Sequence, residues 1–210
     1  MKENEKKIAE ILLQIKSIKL DPANPFTWAS GWQSPIYCDN RKILSFPDAR
    51  TFIKVDFTRI IREKYPEVGL IAGVATGAIA IGVLVAEELG LPFVYVRPKA
   101  KEHGLGNQIE GVLQEGQKVV VIEDLISTGN SSLNAVAALR EAKTRVLGMV
   151  AIFSYQFELA EKNFKEAGVE LSTLGNYTVL IEQAEKTGFI SPEKRETLKK
   201  WREDPGNWTA

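Results

Sequence analysis

Apolar positions near the start of the chain recur at Ile8, Ile11, Leu12, Ile15 and Ile18, the spacing of one helix face, so an amphipathic helix is expected to fill the segment before Asp21. Asp21-Pro22-Ala23-Asn24-Pro25 ends it. Aromatic residues and turn formers crowd Phe26 to Arg41, and the short runs Ile36-Tyr37-Cys38 and Lys42-Ile43-Leu44 are expected to pair as antiparallel strands. A second helix is expected from Pro47 or Asp48 to about Tyr65. From Leu70 the pattern changes to short apolar runs alternating with helical segments, the mark of a parallel sheet built from βαβ units. The runs are Leu70 to Ala72, Phe93 to Val96, Val119 to Ile122 and Val146 to Ile152, with helices expected at Ala78 to Leu89 and Ser131 to Ala142. Beyond Phe153 the pattern gives a helix around Glu158 to Ala167, a strand at Val169 to Leu171 and two further helices. The last of these opens at Ser191-Pro192, with Ser as cap and Pro in the first turn.

Composition adds limits rather than a role. The chain has 210 residues, 44% hydrophobic and 26% charged, within the range of ordinary globular domains, and no internal repeat divides it. Lysines and arginines number 27 against 27 acids, so a charge-driven nucleic-acid binder is not expected. The single cysteine, Cys38, rules out an intrachain disulfide, and the charged N-terminus does not read as a signal peptide, so a cytoplasmic location is expected. Leu70 to Ala86 carries no charge but falls short of the roughly 20 residues a membrane span needs. No membrane partner is expected.

Ligands of such sheets bind beyond the carboxyl ends of the strands, which directs attention to the loops after Ala72, Val96 and Ile122. The third is the most distinctive. Val119-Val120-Val121-Ile122 runs into Glu123-Asp124, then Leu125-Ile126-Ser127-Thr128-Gly129-Asn130-Ser131 before a helix begins. Free N–H groups at a helix start suit a phosphate, and Gly129 lets the backbone come close, while Asn130 tolerates a left-handed backbone. Two carboxylates would repel that phosphate, so they suit a neighbouring sugar diol. The plainer alternative makes Asp124 or Ser127 a helix cap and Glu123 a solvated strand end. After the second run, Arg97-Pro98-Lys99-Ala100-Lys101-Glu102-His103-Gly104 gathers three long cations and the only histidine, either a solvated turn or a flap that neutralises an anionic leaving group. Phe26 to Arg41 reads either as a hood over a ligand or as core.

The acidic strand end with its hydroxyl-rich turn resembles the signature with which type I phosphoribosyltransferases bind 5-phosphoribosyl 1-diphosphate (PRPP). Tyr95 to Gly111 resembles the catalytic loop of the orotate phosphoribosyltransferases, and Phe26 to Arg41 is similar to their orotate-site segment. Gly73-Val74-Ala75-Thr76-Gly77 stands where that family has its pyrophosphate loop. The resemblance implies an α/β fold with an open, mainly parallel twisted sheet flanked by helices. It implies a single domain over 1–210, with a small hood mainly in 1–45, a core over about 46–175 and C-terminal helices over about 176–210. It also implies a pentosyltransferase that uses Mg²⁺ to move phosphoribose from PRPP to orotate in pyrimidine (UMP) synthesis.

By the same resemblance Lys101, His103, Arg97 and Asp124 carry the chemistry. PRPP is bound by Arg97, Lys101, His103, the run Glu123 to Ser131, Thr76 and Gly77, and orotate by Ser127, Tyr37 and Ala29. No protein residue is a firm metal ligand, Asp124 being the candidate. A homodimer is implied, with the catalytic loop reaching the neighbouring subunit. Many members have a lysine where Ala29 stands, a lysine near Gly77 and an arginine around Ser154-Tyr155 that grips the orotate carboxylate. This chain lacks all three, which leaves Ser127 and hood amides for the carboxylate. The other readings are a purine or uracil phosphoribosyltransferase, separable by assay with a panel of bases, and a non-enzymatic PRPP sensor, separable by DNA binding.

Overall fold

The computed structural model describes residues 2–28, 30–99 and 108–209, the side chain of Lys2 excepted. Of the expected site residues, Ala29, Lys101 and His103 lie outside the described residues.

The chain opens with helix α1 (Lys2–Gln14), followed by short strands β1 (Ile18–Leu20), β2 (Phe26–Thr27), β3 (Gln33–Ser34) and β4 (Ile36–Cys38). A 3₁₀ turn at Asn40–Ser45 leads into α2 (Pro47–Lys64). Then come β5 (Leu70–Val74), α3 (Ile79–Leu89), β6 (Phe93–Val96), β7 (Ile109–Glu110), β8 (Lys118–Ile126) and α4 (Asn130–Glu141). The chain closes with β9 (Arg145–Ser154), α5 (Glu158–Glu166), β10 (Leu171–Asn176), α6 (Tyr177–Lys186) and α7 (Pro192–Glu203).

Six strands form one sheet in the order β10-β9-β8-β5-β6-β7, parallel except where β7 returns antiparallel along β6. Its central strands read as unbroken apolar runs because both faces are covered. On β8, Val120 and Ile122 face the layer containing α1, α2, α3, α6 and α7, while Val119 and Val121 face α4 and α5. All four are 0% exposed. From β5 the chain passes to β6 on one side, and β8 lies on the other, so a topological switch point falls between β5 and β8.

Three expectations need correction, all where pairing is non-local. The first helix does not reach Asp21: it stops at Gln14, Lys16 turns into the left-handed region, and Ile18–Leu20 becomes a strand. Its partner is Ile36–Cys38, Ile18 opposite Cys38, so Lys42-Ile43-Leu44 does not pair there and forms the 3₁₀ turn instead. The strand expected at Val169 to Leu171 begins only at Leu171 and runs to Asn176.

The N-terminal segment folds over the strand ends as a small hood. Trp28 Nε1 donates to the Ile36 carbonyl at 3.1 Å, and Trp201 of α7, fully buried, donates from Nε1 to the Gln33 carbonyl at 3.2 Å. Trp28, Tyr155, Phe157 and Trp201 pack ring against ring, with Trp28 5.0 Å from Tyr155 and 5.6 Å from Trp201 between centroids. The hood is thereby tied to the last helix rather than hanging free. Helix α1 packs instead on the core, where Ile8 and Leu12 join the same cluster as Leu174 and Leu180.

Candidate active site

Strand β8 extends past the apolar run, so Glu123 and Asp124 sit within it and continue its alternation. Glu123 follows Val121 to the α4 side. It is 4% exposed, and its two oxygens accept from Ser132 Oγ at 2.8 Å and from the Asp124 N–H at 2.9 Å. Burial, and then the neighbouring Asp124 carboxylate, push its carboxyl well above the usual range. Asp124 is half-buried, and its carboxyl stands close to that of Glu123. A Cβ built on Gly77 would fall on its carboxylate, so only a glycine lets the β5–α3 loop pass this close. The two acids therefore have different settings: Asp124 is open beside the Gly77 loop, while Glu123 pins α4 to the strand.

That division predicts a pH effect on stability. A carboxyl whose pKa is raised in the folded state binds its proton more tightly there than in the unfolded chain. Stability from Glu123 is therefore greatest below the unfolded value of about 4.3 and is lost as pH rises through the folded one. Glu123→Gln carries no such penalty and keeps an oxygen for the Asp124 N–H. Its melting temperature relative to the native chain is expected to rise between pH 5 and pH 8, by about 2–4 °C per kcal/mol relieved, in thermal melts at the two values. A difference that does not change with pH would mean the buried carboxyl is not protonated more readily in the fold.

After β8, Ser127 and Thr128 lead to Gly129, whose φ of +81° makes it the left-handed residue; Asn130 is already the first residue of α4. A Cβ on Gly129 would lie 2.7 Å from the Phe164 ring, so α5 packs directly beneath the turn. Asn163 on α5 braces it from the side, its Nδ2 donating to the Thr128 carbonyl at 2.9 Å and to Asn130 Oδ1 at 3.1 Å. Among the described residues no side chain caps α4, which leaves its first-turn N–H groups and the exposed Asn130 and Ser131 facing outward. A helix start of this kind can take an anion.

Behind Asp124 stands Asn40, which is 3% exposed. Its Nδ2 donates to the Asp124 carbonyl at 2.6 Å, while its Oδ1 accepts from Ser17 Oγ at 3.0 Å and Cys38 Sγ at 3.3 Å. One buried amide so joins β1, the hood and the acidic strand end. Burial pushes the Cys38 thiol up, with Asp124 and Asp39 adding to it, so Cys38 serves as a small neutral wall.

Between the hood and the end of β8 opens a cavity of about 580 Å³. Trp28, Trp32, Tyr37 and Tyr155 give it aromatic walls, and Ser127 and Thr128 put hydroxyls at one end. Tyr37 and Ser127, expected at the orotate site, thus share one cavity, and Trp28 and Ser30 on either side of Ala29 line it too. Arg97 directly follows β6, at the start of the basic segment. Its N–H donates to the Gln108 carbonyl at 2.9 Å, and Gln108 Nε2 returns a bond to the Arg97 carbonyl at 2.9 Å. The Ala75 N–H donates to the Val96 carbonyl at 2.8 Å, which holds the Thr76-Gly77 loop beside the hairpin. Lys99 is exposed.

The structure therefore gathers Asp124, Thr76, Gly77, Arg97, the Ser127–Ser131 turn and Tyr37 along one end of the sheet. Asn40, Asn163 and Tyr155 are neighbours of the site that the sequence did not single out. Asn40 followed an acid inside a turn-rich segment, and nothing local marked it as the brace of a strand 84 residues away.

Residues 53–172 match the phosphoribosyl transferase domain family. An orotate phosphoribosyltransferase of Phocaeicola vulgatus is 60% identical over 210 residues, covering 100% of this chain and 99% of that protein. One from Streptococcus pneumoniae serotype 4 is 54% identical over 203 residues, covering 97% of each. Among solved structures, orotate phosphoribosyltransferase from Aeropyrum pernix superimposes with a TM-score of 0.76 at 26% identity, over 88% of this chain and 99% of that one.

Proposed function

The chain belongs to the orotate phosphoribosyltransferases, and from that membership we propose how its own residues carry the transfer of phosphoribose from PRPP to orotate. The N1 nitrogen of orotate forms a bond to C1′ of the ribose as the bond from C1′ to pyrophosphate breaks. Orotidine 5′-phosphate and pyrophosphate are the products.

The observation that carries the assignment is the single run from Asp124 to Ser131. An open carboxylate beside the Gly77 loop is followed six residues on by the first residue of α4, an uncapped helix start, with an aromatic cavity across from both. The α4 N–H groups and the hydroxyls of Thr128 and Ser131 hold the 5′-phosphate. Asp124 accepts from the ribose hydroxyls, and Glu123 keeps the strand end in register with α4. Orotate lies in the hood cavity between Trp28, Tyr37 and Tyr155, with Ser127 at its edge. Arg97, Lys101 and His103 meet the departing pyrophosphate, each such donor worth on the order of a hundredfold in rate. The wall of aromatic rings excludes water from an oxocarbenium-like sugar.

Among the described residues no three His, Cys, Asp or Glu converge as a metal site. A magnesium ion there would take most of its oxygens from PRPP and water, with Asp124 as a carboxylate beside it. Bound there, the ion supplies positive charge to the pyrophosphate. We place Lys101 and His103 in the site of the neighbouring subunit of a homodimer, as the family resemblance implies. No helix of the described residues is long and apolar enough to cross a membrane.

Assay of purified protein with PRPP and a panel of orotate, uracil, adenine and hypoxanthine, with and without a magnesium chelator, tests the reading. Product is expected from orotate alone and only with free Mg²⁺. Preferential use of another base would reject the orotate assignment, and full activity in excess chelator would reject the metal.

A further inference from the structure

Orotate carries a carboxylate that is ionised at neutral pH, yet the described walls of the hood cavity contain no lysine or arginine. Desolvating that carboxylate against aromatic rings with only hydroxyls in reach would be costly. A second cavity, of about 330 Å³, adjoins the first: Trp32 and Thr128 are walls of both. Arg202 of α7 lines it.

The guanidinium is well placed and under-used. Its Nη1 donates to the Gln156 carbonyl at 3.1 Å, and Gln156 directly follows Tyr155 of the hood cavity. Among the described residues it forms no ion pair, so most of its five N–H donors remain free. Its backbone is anchored as well. The adjacent Trp201 is fully buried, bonded to Gln33 and packed 5.9 Å from Tyr155, and Gly206 further along rests on the Trp32 ring. Glu158, Glu203 and Asp204 share the second cavity. Those acids disfavour a free polyanion settling beside Arg202, but not a single carboxylate reaching it past the shared wall.

Resting on the orotate reading above, we infer that Arg202 is the cation that recognises the orotate carboxylate, reaching it from α7 past Trp32 and Thr128. It is a specificity residue: the ribose and pyrophosphate contacts do not involve it.

The test compares Arg202→Gln and Arg202→Lys with the native chain, using orotate, uracil and PRPP. Loss of a charge-assisted bond to carboxylate is expected to raise the KM for orotate on the order of tenfold to a hundredfold in Arg202→Gln. The KM for PRPP should stay within about twofold, and preference for orotate over uracil should fall by the same factor as orotate affinity. Arg202→Lys should recover part of the loss. Glutamine can still donate to the Gln156 carbonyl, so if Arg202 only braced α7, Arg202→Gln would restore orotate KM and the inference would be overturned. An equal rise in both KM values would overturn it too. A native chain that left orotate unused would overturn the functional reading itself, which is a distinguishable outcome.

Discussion

Lys101→Ala should lower turnover by on the order of a hundredfold to a thousandfold, with no change in melting temperature. Pyrophosphate leaves with growing negative charge, and on the proposed reading Lys101 is a cation that meets it while Asp124 accepts from the ribose. The fold should be indifferent, because Lys101 falls in sequence between Arg97 and Gln108, whose paired bonds tie the two ends of that segment together. Rate and melting temperature are read on the same preparation. Near-native turnover would remove the loop from the mechanism. Mixing Lys101→Ala with Asp124→Ala should then recover activity if the loop acts across a dimer, since one hybrid site combines the intact loop of one subunit with the intact acid of the other. No recovery in confirmed heterodimers would place the loop in its own subunit's site.

Gly77→Ala should be nearly as damaging for a different reason. The added methyl would occupy the position of the Asp124 carboxylate. The three nearest atoms all belong to that flexible carboxylate, so it should move and the sheet should remain. A displacement of about 1 Å in a positioned group costs on the order of a hundredfold, and kcat/KM for PRPP is expected to fall by that much. Circular dichroism and thermal melting should match the native chain. If activity survives, Asp124 is not the ribose acceptor; if the protein unfolds, the close approach at Gly77 is a core contact rather than a site feature.

The parallel sheet was legible in the sequence because its strands are buried on both faces and so appear as continuous apolar runs, Val119 to Ile122 above all. The strand, turn and helix start from Val119 into α4 were legible for a related reason, since they are consecutive in sequence and the turn chemistry is local. Ile18 shows the limit. It fits the helical spacing of Ile8, Ile11 and Ile15, but its partner is Cys38, and that pairing overrides the local pattern. Lys42 to Leu44 failed in the same way, as the strand it was expected to join found Ile18–Leu20 instead. The separate settings of Glu123 and Asp124 required knowing that β8 runs on through both, and Asn40, Asn163 and Arg202 act through partners 84, 35 and 46 residues away. Polar side chains carry no periodicity that would announce such contacts.

The central claim is that one end of this sheet holds PRPP and orotate together and exchanges pyrophosphate for the base. Orotate absorbance, followed alongside released pyrophosphate in the presence of PRPP and Mg²⁺, tests it most directly. Loss of orotate matched one for one by pyrophosphate, and absent when PRPP is omitted, is the predicted result. Unchanged absorbance, or pyrophosphate released without loss of orotate, would contradict it.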